Sequence, residues 1–384
     1  MKIVCAQSVL RGREAFRTLG DVTVIPDSEI SALDLKNAEA LITRSKTVID
    51  ATLTANTALR FAGTATAGFD HIDAIALDTA GIAWTAAPGC NAVSVAEYLI
   101  AALLELGERN NFSLEGKSLG IVGVGAVGSR VAVRAKALGM RVMLNDPPRA
   151  ILESSDEFME LDDLLPNADI ITLHTPLTDE SGFATRKMVD EIFFSKLKPG
   201  CIFVNASRGE VVDEAALLNA MDARIVTQTV LDVWEDEPFC NSELLRRVDI
   251  ATPHIAGYSF DGKLRGTAMV HESFCKFMKL PTSWNSAPFL PPSPAPEQTV
   301  LPNSGSYEDV LRTLIRRIYK IAEDDRALRR QEIMPNLKEH AKLFQSLRKN
   351  YPVRREFSGT TVHLEKPDPL LTPKIAALGF RQKN

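Results

Sequence analysis

The chain has 384 residues, 45% of them hydrophobic and 24% charged, with a formal net charge of −5. That length predicts two or three domains with cores of ordinary size. The acidic balance argues against a nucleic-acid binder, which normally carries a basic face, and the most apolar run, "YLIAALLEL", is too short to span a membrane. The N-terminus, "MKIVCAQSVLRG", lacks the apolar core of a secretion signal. Five scattered cysteines, Cys5, Cys90, Cys201, Cys240 and Cys275, form no CxxC pair, so neither a disulfide framework nor a metal site is expected. A cytoplasmic location fits best.

In chain order, "KIVC", "VTVI", "ALITR", "LRFAGTATAG" and "IAWTAAPG" read as strands, with "GREAFRTLG" and "IDAIALDTAG" as helices between them. Such alternation implies βα units and a parallel sheet. A long helix follows over 93–108. A second series then begins, with strands "KSLGIVGVG", "RVMLND", "DIITLHT", "CIFVNAS", "IVTQTVLDV" and "DIATPH". One of its helices, "SRVAVRAKALG", ends on Gly139 as a C-cap. This is the pattern of a doubly wound fold. "GKLRGTAMVHESFCKFMKL" reads as a helix returning to the first domain. Residues 281–302 are too rich in proline for a helix or a central strand, and read as a linker or strap. Two helical patterns, "SYEDVLRTLIRRIYKIAEDDRALRR" and "NLKEHAKLFQSLRKNY", a strand in "REFSGTTVHLE" and a short helix in "KIAALGF" complete a small α+β appendage.

Chemistry enters at "GVGAVG", a GxGxxG match at Gly123, Gly125 and Gly128 with a strand before it and a helix after it. The first glycine permits the tight turn, the second lets backbone approach a pyrophosphate, and the third lets helix and strand pack closely. The helix start offers free N–H groups to the anion. Asp146 closes the next strand, where a carboxylate holds a ribose diol and repels a 2′-phosphate, so NAD is expected rather than NADP. The plain alternative for Asp146 is a turn residue before Pro147.

The remaining strand ends carry His174-Thr175, Asn205 to Arg208, Asp232 and His254. Ligands of open α/β sheets bind outside the carboxyl ends of the strands, so these groups converge on one crevice. Arg208 suits a carboxylate, through two parallel hydrogen bonds. His254 suits the proton of a hydroxyl whose carbon loses hydride, and Glu237 suits the imidazole as a partner that raises its basicity and fixes its orientation. Singly, each has a plain reading as a loop histidine or half of a surface salt bridge. Together, at consecutive strand ends beside a dinucleotide motif, they favour catalysis.

"GKSLGIVGVGAVGSR", "NASRGEVVDEAAL", "VLDVWEDEP" and "TPHIAG" resemble the D-2-hydroxyacid dehydrogenase family, over residues 1 to about 280. The resemblance implies hydride transfer between NAD and C2 of a 2-hydroxy acid, with Arg208, Glu237 and His254 in the roles just given. It also implies cofactor contacts at Gly123, Gly125, Ala126, Val127, Gly128, Asp146, Thr175, Ala206, Ser207, Asp232 and Gly257. "LITRSKTVI", "FAGTATAGFDHID", "AAPGCNAVSVAEY", "LNDPPRA", "HIAGYSFDGKLRGT" and "LRKNYPVRREF" resemble one branch of that family, which acts on a phosphorylated 2-hydroxy acid in vitamin B6 biosynthesis. In that branch the C-terminal appendage forms the contact of a homodimer. The branch implies substrate contacts at Ser45, Thr66 and Tyr258 besides Arg208; for Ser45 the plain alternative is capping of the next helix. The basic run holding Arg348, Lys349, Arg354 and Arg355 is by default a solvated face, with reach to a neighbouring subunit as the other reading.

The expected fold is therefore α/β. A flavodoxin-like substrate domain covers 1–94 and is completed by 258–280. A doubly wound Rossmann NAD-binding domain covers 95–257. A proline-rich linker, 281–302, leads to a small α+β dimerisation domain over 303–384. Expected partners are a small phosphorylated 2-hydroxy acid and a second copy of the chain, with no nucleic acid, no membrane and no metal. Two other readings remain open: a different D-2-hydroxyacid dehydrogenase such as a phosphoglycerate dehydrogenase, and a non-catalytic NAD-sensing scaffold or corepressor.

Overall fold

Two runs of strand and helix fold into two parallel sheets, one in each of two compact units. The computed structural model describes residues 1–179, 182–301, 305–334 and 336–383. One unit comprises Met1–Ala92 with Tyr258–Pro291, and the other Val93–Gly257 with Pro292–Asn384.

The first unit holds β1 (Lys2–Ala6), β2 (Asp21–Ile25), β3 (Ala40–Thr43), β4 (Phe61–Thr64) and β5 (Ala83–Thr85). Their order, β2-β1-β3-β4-β5, is the flavodoxin-like one. β3 and β4 are buried at every residue, as strands covered on both faces must be. The helix Phe260–Met278 returns to this sheet and brings Val270 and Phe274 into the core formed by Ile3, Phe16 and Phe61. The Phe274 ring lies 5.0 Å from that of Phe61 and 6.0 Å from that of Phe16. Two short helices, Ala32–Leu35 and Ala51–Thr54, escape the sequence pattern because one turn is too short to show a period. Asp50 caps the second through Leu53 N at 2.8 Å, so that cap does not fall to Ser45. From the proline-rich stretch, Trp284 packs against this core and stacks on Phe289.

The second unit begins with the buried helix Ala92–Arg109. Its main sheet contains β6 (Ser118–Val122), β7 (Arg141–Asn145), β8 (Ile170–Leu173), β9 (Cys201–Asn205), β10 (Val226–Leu231) and β11 (Ile250–Ala251). The order is β11-β10-β9-β8-β6-β7. Beyond β7, Phe158 makes a single parallel bridge to Leu144, and Met159 N donates to Leu144 O at 2.7 Å. The outer strand of a dinucleotide-binding sheet is thus reduced to one residue. Strand order reverses at β6, which puts the ligand crevice outside the ends of β6 and β8.

The C-terminal residues add a small parallel sheet of β12 (Glu297–Val300), β13 (Thr361–Leu364) and β14 (Arg381–Gln382). β12 starts just after Pro296 and lies at the edge, the place a proline-flanked strand tolerates. The pattern over 306–330 predicts one helix; the structure has two, Tyr307–Arg316 and Ile321–Arg329. The break between them lets Val310, Leu311, Leu314 and Ile315 be buried on one side while Leu328 enters another part of the core. The basic run is likewise not a solvated face throughout. Arg354 and Arg355 are only 3% and 7% exposed, and Arg354 is drawn inward by the Ser94 carbonyl and the fully buried Glu97. Arg354 Nη2 donates to Ser94 O at 2.6 Å, and its guanidinium lies 4.0 Å from the centre of the Tyr319 ring.

Phe274→Ala removes the largest apolar link between the returning helix and the first sheet. It is expected to cost about 3–5 kcal/mol, measured by urea unfolding; a loss below about 1 kcal/mol would show that the helix is held by other contacts.

Candidate active site

The GxGxxG turn follows β6. Gly123 has φ +88°, and a Cβ there would lie 2.7 Å from the carbonyl carbon of His174. A Cβ on Gly128 would lie 2.2 Å from Gly123 O. A Cβ on Gly125 would meet nothing within 4 Å. The first and third glycines are therefore demanded by the protein's own packing, while the second faces open space. The helix Ala126–Ala137 begins there with no side-chain cap, so its first N–H groups point outward.

Asp146, at the end of β7, both caps and ties. One carboxylate oxygen accepts from Arg149 N at 3.1 Å, capping Pro147–Glu153, and the other accepts from Val124 N at 2.8 Å within the glycine turn. Arg149 closes the loop by donating to Val124 O at 2.6 Å and to both oxygens of Glu153. A carboxylate has further lone pairs for a ribose diol. After β8, Thr175 Oγ1 and His174 Nδ1 are buried without a hydrogen-bond partner. His174 Nε2 meets Thr172 Oγ1 at 3.1 Å, and burial lowers the imidazole pKa to about 3, so the ring stays neutral.

After β9, Asn205 organises the next turn. Its Oδ1 accepts from Ser207 N and Ser207 Oγ, and its Nδ2 donates to Arg208 O at 2.8 Å. Ala206 and Arg208 stay half-buried. A Cβ on Gly209 would lie 1.9 Å from Trp234 O, so this turn is pressed against the loop after β10.

That loop carries Glu237, and β11 leads to His254. His254 Nδ1 lies 2.8 Å and 3.1 Å from the two carboxylate oxygens of Glu237. Trp234 N donates to Glu237 Oε1 at 3.2 Å. Burial pushes the Glu237 carboxyl up, but the His254 contact, Arg348 and the Trp234 N–H outweigh it and hold the group below the usual carboxylate range. An ionised carboxylate only accepts, so Nδ1 carries the proton and Nε2 is the nitrogen left for a substrate. The His254 side chain remains 32% exposed. Its φ is +55°, a strained value for a residue with a Cβ, and Asp232 holds it. One Asp232 oxygen accepts from Thr252 Oγ1 at 2.6 Å and Ile255 N at 2.8 Å; the other accepts from Ala256 N at 2.8 Å. Gly257 follows directly and ends the first segment of the unit. Sequence reasoning missed Tyr98, whose hydroxyl meets Thr252 Oγ1 at 2.7 Å. It sits mid-helix and away from any strand end, so the sequence pattern gives no signal.

In the first unit, Ser45 is exposed after β3. Thr66 Oγ1 meets Thr64 Oγ1 at 2.7 Å and Gly68 O at 2.8 Å. His71 Nε2 reaches Thr64 Oγ1 at 3.0 Å. Arg44 Nη1 is buried without a hydrogen-bond partner, and Arg44 acts electrostatically on His71. The Tyr258 ring lies 4.3 Å from Lys263 Nζ.

A profile of the NAD-binding domain of the D-isomer specific 2-hydroxyacid dehydrogenases matches residues 104–256, and a domain of unknown function matches 289–379. The erythronate-4-phosphate dehydrogenase of Cronobacter sakazakii is 44% identical over 381 residues, 99% of this chain and 98% of its own. That of Klebsiella pneumoniae is 43% identical with the same coverage. The chain belongs to the erythronate-4-phosphate dehydrogenase family. Among solved structures it is similar to the NAD+-bound 3-phosphoglycerate dehydrogenase of Entamoeba histolytica (TM-score 0.62, 28% identity), covering 73% of this chain and 95% of the other. The D-lactate dehydrogenase of Aquifex aeolicus, complexed with NAD and lactic acid, gives a TM-score of 0.58 at 28% identity, covering 72% and 95%. This dehydrogenase is thus an NAD-dependent oxidoreductase. The open side of Gly125, the uncapped helix start and the unpartnered Thr175 hydroxyl all fit NAD.

The two tight glycines and the open one separate folding from binding. Gly125→Ala is expected to leave the melting temperature unchanged and weaken NAD binding by ~10-fold or more, about 1.4 kcal/mol, by calorimetry. Gly128→Ala is expected to lower the melting temperature. Equal melting losses in both variants would refute the distinction.

Proposed function

We propose that the chain oxidises 4-phospho-D-erythronate to 3-hydroxy-2-oxo-4-phosphooxybutanoate, in the pathway to pyridoxal 5′-phosphate. The His254–Glu237 contact, in the same sheet as the glycine turn, carries this reading. It puts an imidazole, backed by a carboxylate, at a strand end of the NAD-binding sheet. The relatives named above span almost the whole chain, whereas the phosphoglycerate dehydrogenase neighbour leaves about a quarter of it uncovered, so the phosphoglycerate reading is not favoured. Five buried free cysteines fit a reducing cytoplasm, and no helix among the described residues is long and apolar enough to cross a membrane.

NAD, when bound, accepts the hydride from C2. The residues proposed to hold it are the 123–128 turn, Asp146, Thr175, Ala206, Ser207 and Gly257, with Asp232 acting through the His254 loop. His254 Nε2 takes the proton of the C2 hydroxyl as the C2–H bond breaks. Glu237 stabilises the imidazolium that forms. Arg208 receives the substrate carboxylate through its planar fork. Ser45, Thr66 and Tyr258 are proposed to meet the rest of the substrate, and Arg44 supplies the cation that a phosphate requires.

His254→Ala is expected to lower kcat by roughly 10²–10⁴-fold with NAD affinity retained, followed by NADH absorbance. Glu237→Gln removes the charge that favours the protonated ring, so the acidic limb of the kcat/KM profile should move to lower pH. Arg44→Ala should raise KM for the phosphorylated acid. Near wild-type turnover by His254→Ala would sink the assignment.

The active species is proposed to be a homodimer. The apolar face of Tyr307–Arg316 is spent within the chain, but Ile333 and Leu337, 87% and 59% exposed, offer a surface for a second copy. Ile333→Lys with Leu337→Lys should halve the mass seen by light scattering; a monomeric wild-type chain would refute the dimer itself.

A further inference from the structure

β11, the strand that delivers His254, is two residues long and pairs on one side only, with Val230 opposite Ile250 and Leu231 opposite Ala251. Two residues of parallel ladder are a weak support for a loop whose histidine has a positive φ. On the inner side, Thr252 N donates to Leu231 O at 2.9 Å and His254 N donates to Asp232 O at 2.6 Å. The N–H just before them, that of Ala251, points the other way. It is buried there, and an unmet buried N–H is costly.

The acceptor is a side chain. Asp325, from the helix Ile321–Arg329, takes the Ala251 N–H on Oδ1 at 2.8 Å. The same oxygen accepts from Arg329 Nε at 2.9 Å. The other two nitrogens of that guanidinium donate to Leu245 O at 2.7 Å and Val248 O at 2.6 Å. Leu245 and Val248 belong to the last turn and the exit of Ser242–Arg247, the helix that feeds β11. One aspartate and one arginine therefore fix the entry and the open edge of this strand together. Leu328, fully buried, anchors their helix in the same core as Trp234, Leu245, Val248 and Ala251.

We propose that Asp325 and Arg329 are positioning residues for His254: the C-terminal appendage stands in for the missing outer strand beside β11 and so sets the aim of the imidazole. The appendage then has a part in the chemistry of its own chain, whatever it does between chains. The inference rests on His254 being the base. Asp325 touches neither the imidazole nor the expected site of the substrate. Its effect has to pass through the backbone of 251–254, and displacements of about 1 Å at a reacting group cost up to ~10²-fold in rate.

The experiment uses the full-length chain. Asp325→Ala deletes the acceptor, while Asp325→Asn keeps an Oδ1 for Ala251 N and Arg329 Nε and loses only the charge. Wild-type turnover of 4-phospho-D-erythronate is measured first, since its absence overturns the proposed function and not the brace. The brace is then read by histidine-labelled NMR of His254 and by kcat, KM and NAD affinity. We expect Asp325→Ala to shift the His254 signals and lower kcat about tenfold or more, with NAD affinity and mass by light scattering unchanged. Asp325→Asn should restore both signals and kcat to near wild type. Should Asp325→Ala fail to fold, Arg329→Gln, which keeps the acceptor at Ala251 but frees Leu245 O and Val248 O, should show the same shift in weaker form. A lowered melting temperature with unmoved His254 signals and unchanged kcat, in either variant, would overturn the proposal.

Discussion

The site depends on keeping one histidine in a backbone conformation it would not choose. His254 stands at φ +55° after a strand of two residues. An L-residue there gives up a kcal/mol or more relative to its ordinary states. The Asp232 carboxylate offsets that cost by gathering Thr252 Oγ1, Ile255 N and Ala256 N around the turn. Asp232 is almost wholly buried, and its charge is met by donors rather than by an arginine. A hydrogen-bonded carboxylate of this kind contributes more than a neutral acceptor would, and it leaves the imidazole face open. Tyr98 and the Trp234 indole complete the enclosure by holding Thr252 from the other sides.

The glycine turn shows the same economy with backbone. Gly123 and Gly128 are required before any ligand arrives, because a methyl group at either would collide with carbonyl groups of the turn or of β8. Gly125 has no such internal duty. Asp146 belongs to both worlds: it pins Val124 and starts the next helix, and it remains half-buried. Asp146, the residue proposed to favour NAD, also holds the turn, so substitution there changes shape along with charge.

Strand ends were legible in the sequence because βα alternation is regular and the chemistry of α/β sheets sits after the strands. Arg208, Glu237 and His254 could be named from that alone, and His254 and Glu237 do meet. The reduced outer strand at Phe158 was not legible, since one bridge leaves no run of β-formers. The one-turn helices at 32–35 and 51–54 were hidden for the same reason. Arg354 and Arg355 read as solvated because a run of charges carries no sign of burial. What encloses Arg354 is a set of partners far away in sequence, Ser94 among them, and no local pattern reports such pairs. Asp325 was illegible on the same grounds: within "IAEDDRALRR" it is one acid among several, and only the edge of β11 distinguishes it.

That burial bears on whether the C-terminal residues form a separable body. Glu97, on the helix Ala92–Arg109, is fully buried and accepts from Phe357 N at 2.8 Å. Burial, reinforced by Glu356, lifts its pKa well above the usual range, against the pull of Arg354 and Arg134. Arg354 in turn is enclosed by Tyr319 and the Ser94 carbonyl. Removing one member of such a group strands the others without compensation, at a cost of about 3–5 kcal/mol. Leu328 and Phe344 add apolar contacts to the core under β8–β11. A domain that docks through its surface would keep its charges in water and its core to itself. These residues do neither, so they fold as part of the NAD-binding body, and the strand that carries His254 is finished by them.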